Sequence, residues 1–281
     1  MVSLIATVYN ERDNINPWID SLLTQSRTPD EIVIVDGGSS DGTWDILQER
    51  ARSTPTLVVQ QDKGNISHGR NAAVRIARYE AIVVTDAGCV YDHTWFSQIA
   101  SLIEKDDVFF AATAFGPYLE KTDACKLFLL AAATTPSSDE FKNKQWLPSS
   151  RSVAFKKSVW EQAGGYPEWI PICEDVIFDL IIQKNGVQTY YIRKPLVFWR
   201  PRPTFSAFLK QLFKYARSDG HGKLWPLRQA TRYGVYGLSI LLIAIALVSG
   251  SWWPAIPLVV GAPVYMKKFW KRWSVFSRLL P

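Results

Sequence analysis

Acids placed where apolar runs end are the groups in this chain best suited to chemistry. Ala81-Ile82-Val83-Val84 leads through Thr85 into Asp86-Ala87-Gly88. A continuous apolar run of this kind reads as a buried parallel strand, because no polar residue alternates along it. Ligands in open α/β sheets collect past the carboxyl ends of strands. Asp86 stands at that exit, and Gly88 lets a ligand or metal approach the backbone. The bland alternative is an aspartate that caps or solvates a turn. A second acidic centre is Glu174-Asp175, ahead of Phe178, Leu180, Ile181 and Ile182 at helical spacing. Acids in a first helical turn complement the helix dipole by ~0.3–1 kcal/mol each. Their chemical reading is a general base, a carboxylate that accepts the proton of an attacking hydroxyl.

The elements that must position these groups follow from periodicity and punctuation. Val2 to Val8 is an apolar strand with Tyr9-Asn10-Glu11 at its exit, and a helix is expected over about Asp13 to Leu23. Glu31 to Val35 is a second buried strand, ending in Asp36-Gly37-Gly38-Ser39-Ser40-Asp41-Gly42-Thr43, with a helix following through Arg50. Leu57 to Gln60 is a third strand. Gly64 to Asn71 reads as a turn carrying His68 and Arg70, with a helix onward to Tyr79. After the Asp86 strand come a helix from Asp92 to about Lys105, a strand over Val108 to Ala114, and a closing strand over Val187 to Ile192. The strand–helix alternation predicts a parallel sheet with right-handed crossovers. Three successive strand exits then present Tyr9, Asn10 and Glu11, Asp36 and Ser39, and Asp86 and Gly88 on one edge. That edge suits a nucleotide, with an aromatic for the base and acids for ribose, base or metal. The sequence has neither a GxGxxG loop after the first strand nor a Walker A lysine, which disfavours dinucleotide and P-loop folds.

Val8-Tyr9-Asn10-Glu11 and Val33-Ile34-Val35-Asp36-Gly37-Gly38-Ser39-Ser40-Asp41-Gly42-Thr43 resemble the opening of family 2 glycosyltransferases of the GT-A fold. Gly69-Arg70-Asn71-Ala72-Ala73, Thr85-Asp86-Ala87-Gly88, Gly164-Gly165-Tyr166 and Glu174-Asp175 continue the pattern over roughly the first two hundred residues. The resemblance implies an α/β fold, a Rossmann-like and mostly parallel sheet, that binds a nucleotide-diphosphate sugar. It assigns Thr7, Tyr9, Asn10, Glu11, Asp36, Ser39, Arg70, Asp86 and Gly88 to the donor, Asp175 to the general base and Glu174 to its support. It also implies a divalent metal (Mn or Mg) on Asp86, with His221 as a further ligand. Gly88 stands where the family usually carries a second acid, and loss of one carboxylate weakens a hard-cation site. Gln211-Leu212-Phe213-Lys214-Tyr215 resembles a Gln-x-x-Arg-Trp motif of membrane-bound members, with Arg217 as the candidate phosphate contact. The segment from Phe115 to Leu147 corresponds to the family's acceptor-shaping region.

The net charge of +6 points to an anionic partner. Nucleic acid is disfavoured because the basic residues gather around an apolar C-terminal segment. Cys89, Cys125 and Cys173 lack metal-like spacing and fit a reducing compartment. With a strand starting within a few residues of Met1, the expectation is that there is no cleavable signal peptide. Phe205, Phe208, Leu209, Leu212 and Phe213 share one helical face over Thr204 to Arg217, with Lys210, Lys214 and Arg217 off it: either a helix packed on the core or one lying in a membrane interface. No charged residue occurs from Tyr233 to Met266. Ser249-Gly250-Ser251 and Pro254 split that run into arms of about 15 residues, each about 22 Å as helix and short of a ~30 Å hydrocarbon core. With basic residues on both flanks, the expectation is a shallow re-entrant hairpin entered from the cytoplasmic side, a single tilted span being the alternative. Phe269-Trp270-Lys271-Arg272-Trp273 reads as an interfacial anchor. The expected organisation is a catalytic domain over 1–203, an amphipathic helix and active-site loop over 204–232, and a hydrophobic hairpin with a basic aromatic tail over 233–281. The expected activity is inverting transfer of a sugar from a UDP- or GDP-sugar to a lipid-linked or glycan acceptor at the cytoplasmic face. A nucleotidyltransferase and a non-catalytic membrane scaffold are the rival readings.

Overall fold

The computed structural model describes residues 1–118, 147–200, 202, 204–263 and 267. The acceptor-region expectation for 119–146, Cys125 and the aromatic tail at 269–273 therefore lie outside the described residues. The elements run β1 (Val2–Val8), α1 (Ile15–Leu23), β2 (Glu31–Asp36), α2 (Thr43–Ser53), β3 (Leu57–Gln61), α3 (Ile66–Ile76), β4 (Ala81–Asp86), β5 (Cys89–Tyr91), α4 (Trp95–Ile103), β6 (Phe110–Pro117) and β7 (Val153–Lys156). Then follow α5 (Lys157–Ala163), α6 (Glu174–Lys184), β8 (Thr189–Trp199), α7 (Phe205–His221) and α8 (Pro226–Ser249).

One eight-stranded sheet, in the order β3-β2-β1-β4-β7-β6-β8-β5, carries the domain. The strands β3, β2, β1 and β4 are mutually parallel, as the alternation of apolar runs and helices predicts. Beyond β4 the sheet is mixed: β7 is antiparallel to both its neighbours, and β6 and β8 are parallel. Successive side chains of a strand point to opposite faces, so each central strand feeds two cores. Leu4, Ala6 and Val8 pack with Trp18, Ile19, Leu22, Trp95 and Phe96 of α1 and α4. Ile5, Val33 and Val35 pack with Ala72, Ala73 and Val74 of α3 and with Phe178 and Ile182 of α6. Burial on both faces explains why β1, β2 and β4 read as unbroken apolar runs.

Three expectations are corrected here. The segment read as a turn from Gly64 to Asn71 is mostly helix, because the Asn65 side chain caps α3 by accepting the His68 N–H at 2.9 Å. This fixes His68, Arg70 and Asn71 on a rigid element. Gly69 is what allows that helix to lie close to β1: a Cβ there would stand 2.7 Å from Thr7 Cγ2. Gly69→Ala should destabilise the fold by a net ~1–2 kcal/mol, since overpacking outweighs alanine's intrinsic helix gain. An unchanged urea midpoint would contradict this packing argument. The closing strand is longer than expected, because β8 continues past Arg193-Lys194 to Trp199. A register shift opposite Thr113, Ala114 and Phe115 absorbs Pro195.

The third correction concerns the apolar C-terminal segment. It does not divide into two equal short arms, because Pro226 at the first turn starts α8 seven residues before the charge-free run. The helix has 24 residues and ends at Gly250, whose φ of 64° suits a C-terminal glycine. At about 1.5 Å per residue α8 is about 36 Å long, enough to cross a ~30 Å hydrocarbon core. A shorter apolar helix follows over Trp253–Pro263. Along α8 only Ala246 is buried, and Leu227, Ile240, Leu247 and Val248 are exposed. On α7 Phe208 and Ser218 are buried, whereas Leu209, Leu212 and Phe213 face outward.

Candidate active site

The carboxyl ends of β1, β2 and β4 open into a cavity of about 580 Å³. Thr7, Tyr9, Glu11, Gly37, Gly69, Asp86 and Gly88 line it, as the strand-exit argument expects. Tyr9 stands 62% exposed at its mouth, with a ring free to stack. The exits of β1 and β2 are laced together. The Asn10 backbone N–H donates to Ser39 Oγ at 2.8 Å, and Asn10 Oδ1 accepts from the Ser40 N–H at 3.0 Å. Asn10 sits at φ 54°, a left-handed conformation that asparagine tolerates better than most residues.

Asp36 lies beneath the cavity wall, not on it. It is fully buried and accepts from the Ser39 N–H at 3.0 Å, Gln61 Nε2 at 2.8 Å, the Gly38 N–H and Ser39 Oγ. Its oxygens organise the Gly37–Ser39 loop, of which Gly37 lines the cavity. Ser39 is likewise engaged with Asp36 and Asn10.

Arg70 is also placed differently from a diphosphate ligand. Its guanidinium is buried and forks between two carboxylates, with Nη2 donating to Asp86 Oδ1 at 2.8 Å and Nη1 to Glu174 Oε1. The Tyr166 ring lies 5.4 Å from it. Burial opposes the guanidinium's charge, but the adjacent Asp86 and Glu174 outweigh it and hold its pKa above the usual arginine range. Burial pushes the Glu174 carboxyl up, against the pull of Arg70. Arg70 thus bolts the strand-exit acid of β4 to the first residue of α6, and Asp175 is the next residue on that helix.

Asp175 is half-buried, and its Oδ1 accepts the Val176 N–H at 2.9 Å. Cys173, the residue before α6, has φ 66° and marks a sharp entry into the helix. One turn further along, Asp179 is buried with Oδ2 lacking a partner, and burial together with the field of Asp175 pushes its carboxyl well above the carboxylate range. The loop before α6 is fixed by Asn71. Its Oδ1 accepts from the Tyr166 N–H at 2.8 Å and Trp160 Nε1 at 3.0 Å, while Nδ2 donates to Tyr166 O and Glu168 Oε1, each at 2.8 Å. His68 sits between Asp62 and Glu168, at 3.0 and 3.1 Å, and those two carboxylates raise its pKa.

The structure supplies cations that sequence reasoning passed over. Arg151, Arg200 and Arg202 line the cavity. Arg151 is held by Thr85, whose hydroxyl donates to its carbonyl at 2.9 Å, and its guanidinium lies 5.5 Å from the ring centroids of both Phe115 and Trp199. The sequence signal was present in Trp199-Arg200 at the end of an aromatic strand. It becomes readable only when β8 is known to run that far. Arg217, the candidate phosphate contact, is exposed and outside the cavity wall. Gln211 of the same helix lines the cavity, and six residues on, at 3.6 per turn, points about 240° round the helix. His221 belongs to the last turn of α7, not to a loop, and its ring packs edge-on against Trp169 at 5.7 Å.

A hard divalent cation requires about six oxygen ligands. The cavity wall offers the carboxylates of Glu11 and Asp86, and one oxygen of Asp86 is committed to Arg70. Gly88 adds none, and His221 is not on the wall. Among the described residues no three His, Cys, Asp or Glu side chains gather as a metal site. The protein alone therefore does not complete a site for a divalent metal, which would need donor phosphates and water beside Glu11 and Asp86.

Comparisons with known proteins agree with this fold. Residues 3–156 match the sequence profile of glycosyl transferase family 2. The chain is 31% identical over 121 residues to an Escherichia coli protein named UDP-Glc:alpha-D-GlcNAc-diphosphoundecaprenol beta-1,3-glucosyltransferase, a match covering 43% of this chain and 47% of that one. It is 24% identical to a dolichol-phosphate mannosyltransferase of Pyrococcus furiosus, over 99% of this chain and 84% of the other. Among solved structures, the Pyrobaculum calidifontis mannosyltransferase PcManGT, in complex with GDP-Man and Mn2+, superposes with a TM-score of 0.65 at 20% identity, covering 98% of this chain and 86% of that one. The mixed sheet, the lined strand exits and a profile match across more than half its length identify the chain as a glycosyltransferase of family 2.

Proposed function

We propose that the protein transfers a hexose from a nucleotide-diphosphate sugar to an acceptor hydroxyl at a membrane surface, with inversion at the anomeric carbon. The observation that carries the reading is the Arg70 fork, which makes the donor-side Asp86 and the Glu174-Asp175 pair one rigid unit. Tyr9 stacks on the base, Thr7 and Glu11 line the donor's berth, and Asp175 takes the acceptor proton as its oxygen attacks the anomeric carbon. Asp36, Asn10 and Ser39 shape the berth from behind. The acceptor is read as a lipid-linked sugar or polyprenyl phosphate because two relatives bear the names of enzymes using such lipids. The outward apolar faces of α7 and α8 fit a chain whose catalytic domain sits on the cytoplasmic side of a membrane.

The test is product identity. Full-length protein in lipid vesicles, given UDP- and GDP-sugars with a polyprenyl-diphosphate-linked acceptor, should release a nucleoside diphosphate and glycosylate the lipid. Release of pyrophosphate would instead indicate nucleotidyl transfer, and no turnover with any donor would favour a scaffold.

A further inference from the structure

Arg151 and Arg70 make an instructive contrast. Both guanidinium groups are packed into the domain beside Asp86, but Arg70 has two carboxylate partners and Arg151 has no ion-pair partner among the described residues. Its Nη1 donates to Ser149 Oγ at 2.9 Å, and its two stacking partners are aromatic rings. Burial opposes its charge, but the fields of Asp86 and other nearby groups outweigh it, so the guanidinium stays charged on the cavity wall without a carboxylate in ion-pair contact. Arg200 is exposed: Nη1 reaches the neutral Asn14 Oδ1 at 3.4 Å, and the guanidinium lies 5.8 Å from the Tyr118 ring. Both line the cavity, together with Arg202.

Gly88 lines the same cavity. A Cβ added there would meet nothing within 4 Å, so the space for an acidic side chain exists and is left empty. The cavity therefore has open room at Gly88 and carries three arginines, none of them in an ion pair among the described residues.

We infer that Arg151 and Arg200 bind the donor diphosphate directly and neutralise the leaving nucleoside diphosphate, so that donor binding and transfer proceed without a divalent cation. The inference rests on the sugar-transfer reading above and specifies its site. In the step, the bond from the anomeric carbon to the β-phosphate oxygen breaks and its electron pair stays on that oxygen. The acceptor oxygen forms the new bond and its proton passes to the Asp175 carboxylate. Guanidinium N–H groups meet the developing phosphate charge in a forked geometry that an ammonium cannot match.

Calorimetric titration of the full-length, detergent-purified protein with UDP and with GDP, each in EDTA and in Mn2+, tests this. One nucleotide should bind in EDTA with an affinity within about threefold of that in Mn2+. Arg151→Gln should weaken binding in EDTA by about ten- to a hundredfold, the worth of a charge-assisted contact. Arg200→Gln, at the end of β8 and less embedded, serves if the first variant fails to fold, and should weaken binding in the same direction. Binding seen only with Mn2+, or binding in EDTA untouched by either substitution, overturns the inference while leaving the sugar-transfer reading intact. Absence of binding in every arm, with a folded protein, removes both.

Discussion

Replacing Arg70 by methionine is expected to destabilise the folded protein by about 3–5 kcal/mol and to abolish transfer. The side chain is 2% exposed and satisfies two carboxylates that come from distant parts of the sequence. Methionine fills much of the volume but leaves Glu174, itself 8% exposed, as an uncompensated buried acid facing Asp86. Removing one member of a buried ionic set costs far more than the set's net contribution, because the remaining charge keeps its desolvation penalty. Arg70→Lys should recover part of the stability and little activity, since one ammonium cannot fork to both acids. Urea unfolding midpoints and turnover on the same preparations check this. A methionine variant as stable as wild type would show that the fork does not hold the site together.

Asp175→Asn should act in the opposite way, sparing the fold and removing the chemistry. Asparagine is isosteric, and its side-chain oxygen keeps the contact that Asp175 Oδ1 makes with the Val176 N–H. Stability should change by about 0.5 kcal/mol or less, as for a half-buried surface-side substitution. Donor affinity should be nearly unchanged, because the cavity wall does not include Asp175. Turnover should fall by about 10²–10⁴-fold, the usual contribution of a positioned general base. Stopped assays of nucleoside diphosphate release beside donor titrations separate the two effects. A variant that binds donor weakly but turns it over normally would reassign Asp175 to binding.

Much of the donor berth was legible because strands buried on both faces announce themselves as unbroken apolar runs. The residues at the ends of β1, β2 and β4 could be named from that pattern, and Tyr9, Glu11 and Asp86 do line one cavity. What the pattern could not convey is which polar groups face the ligand and which hold the frame. Asp36 and Asp86 look alike in sequence, yet one is consumed by its own loop and the other is open to the cavity. Arg70 reads as a free cation until its partners, 16 and 104 residues away, are brought to it. Arg193-Lys194-Pro195 looks like the end of a strand, and the bulge that lets β8 continue is a tertiary effect of pairing with β6. Missing that extension hid Arg200 and, with it, the basic wall. The start of α8 was similarly obscured, since Arg228 and Arg232 resemble a flank although Pro226 begins the helix before them.

The most direct test of the account is the stereochemistry of transfer. Proton NMR of the purified glycosylated acceptor reads the anomeric configuration of the new bond, and the same reading of the donor gives the starting configuration. A single displacement assisted by Asp175 predicts opposite configurations in donor and product, with product formation lost in Asp175→Asn. Retained configuration, or undiminished product from that variant, would contradict the mechanism assigned to this site.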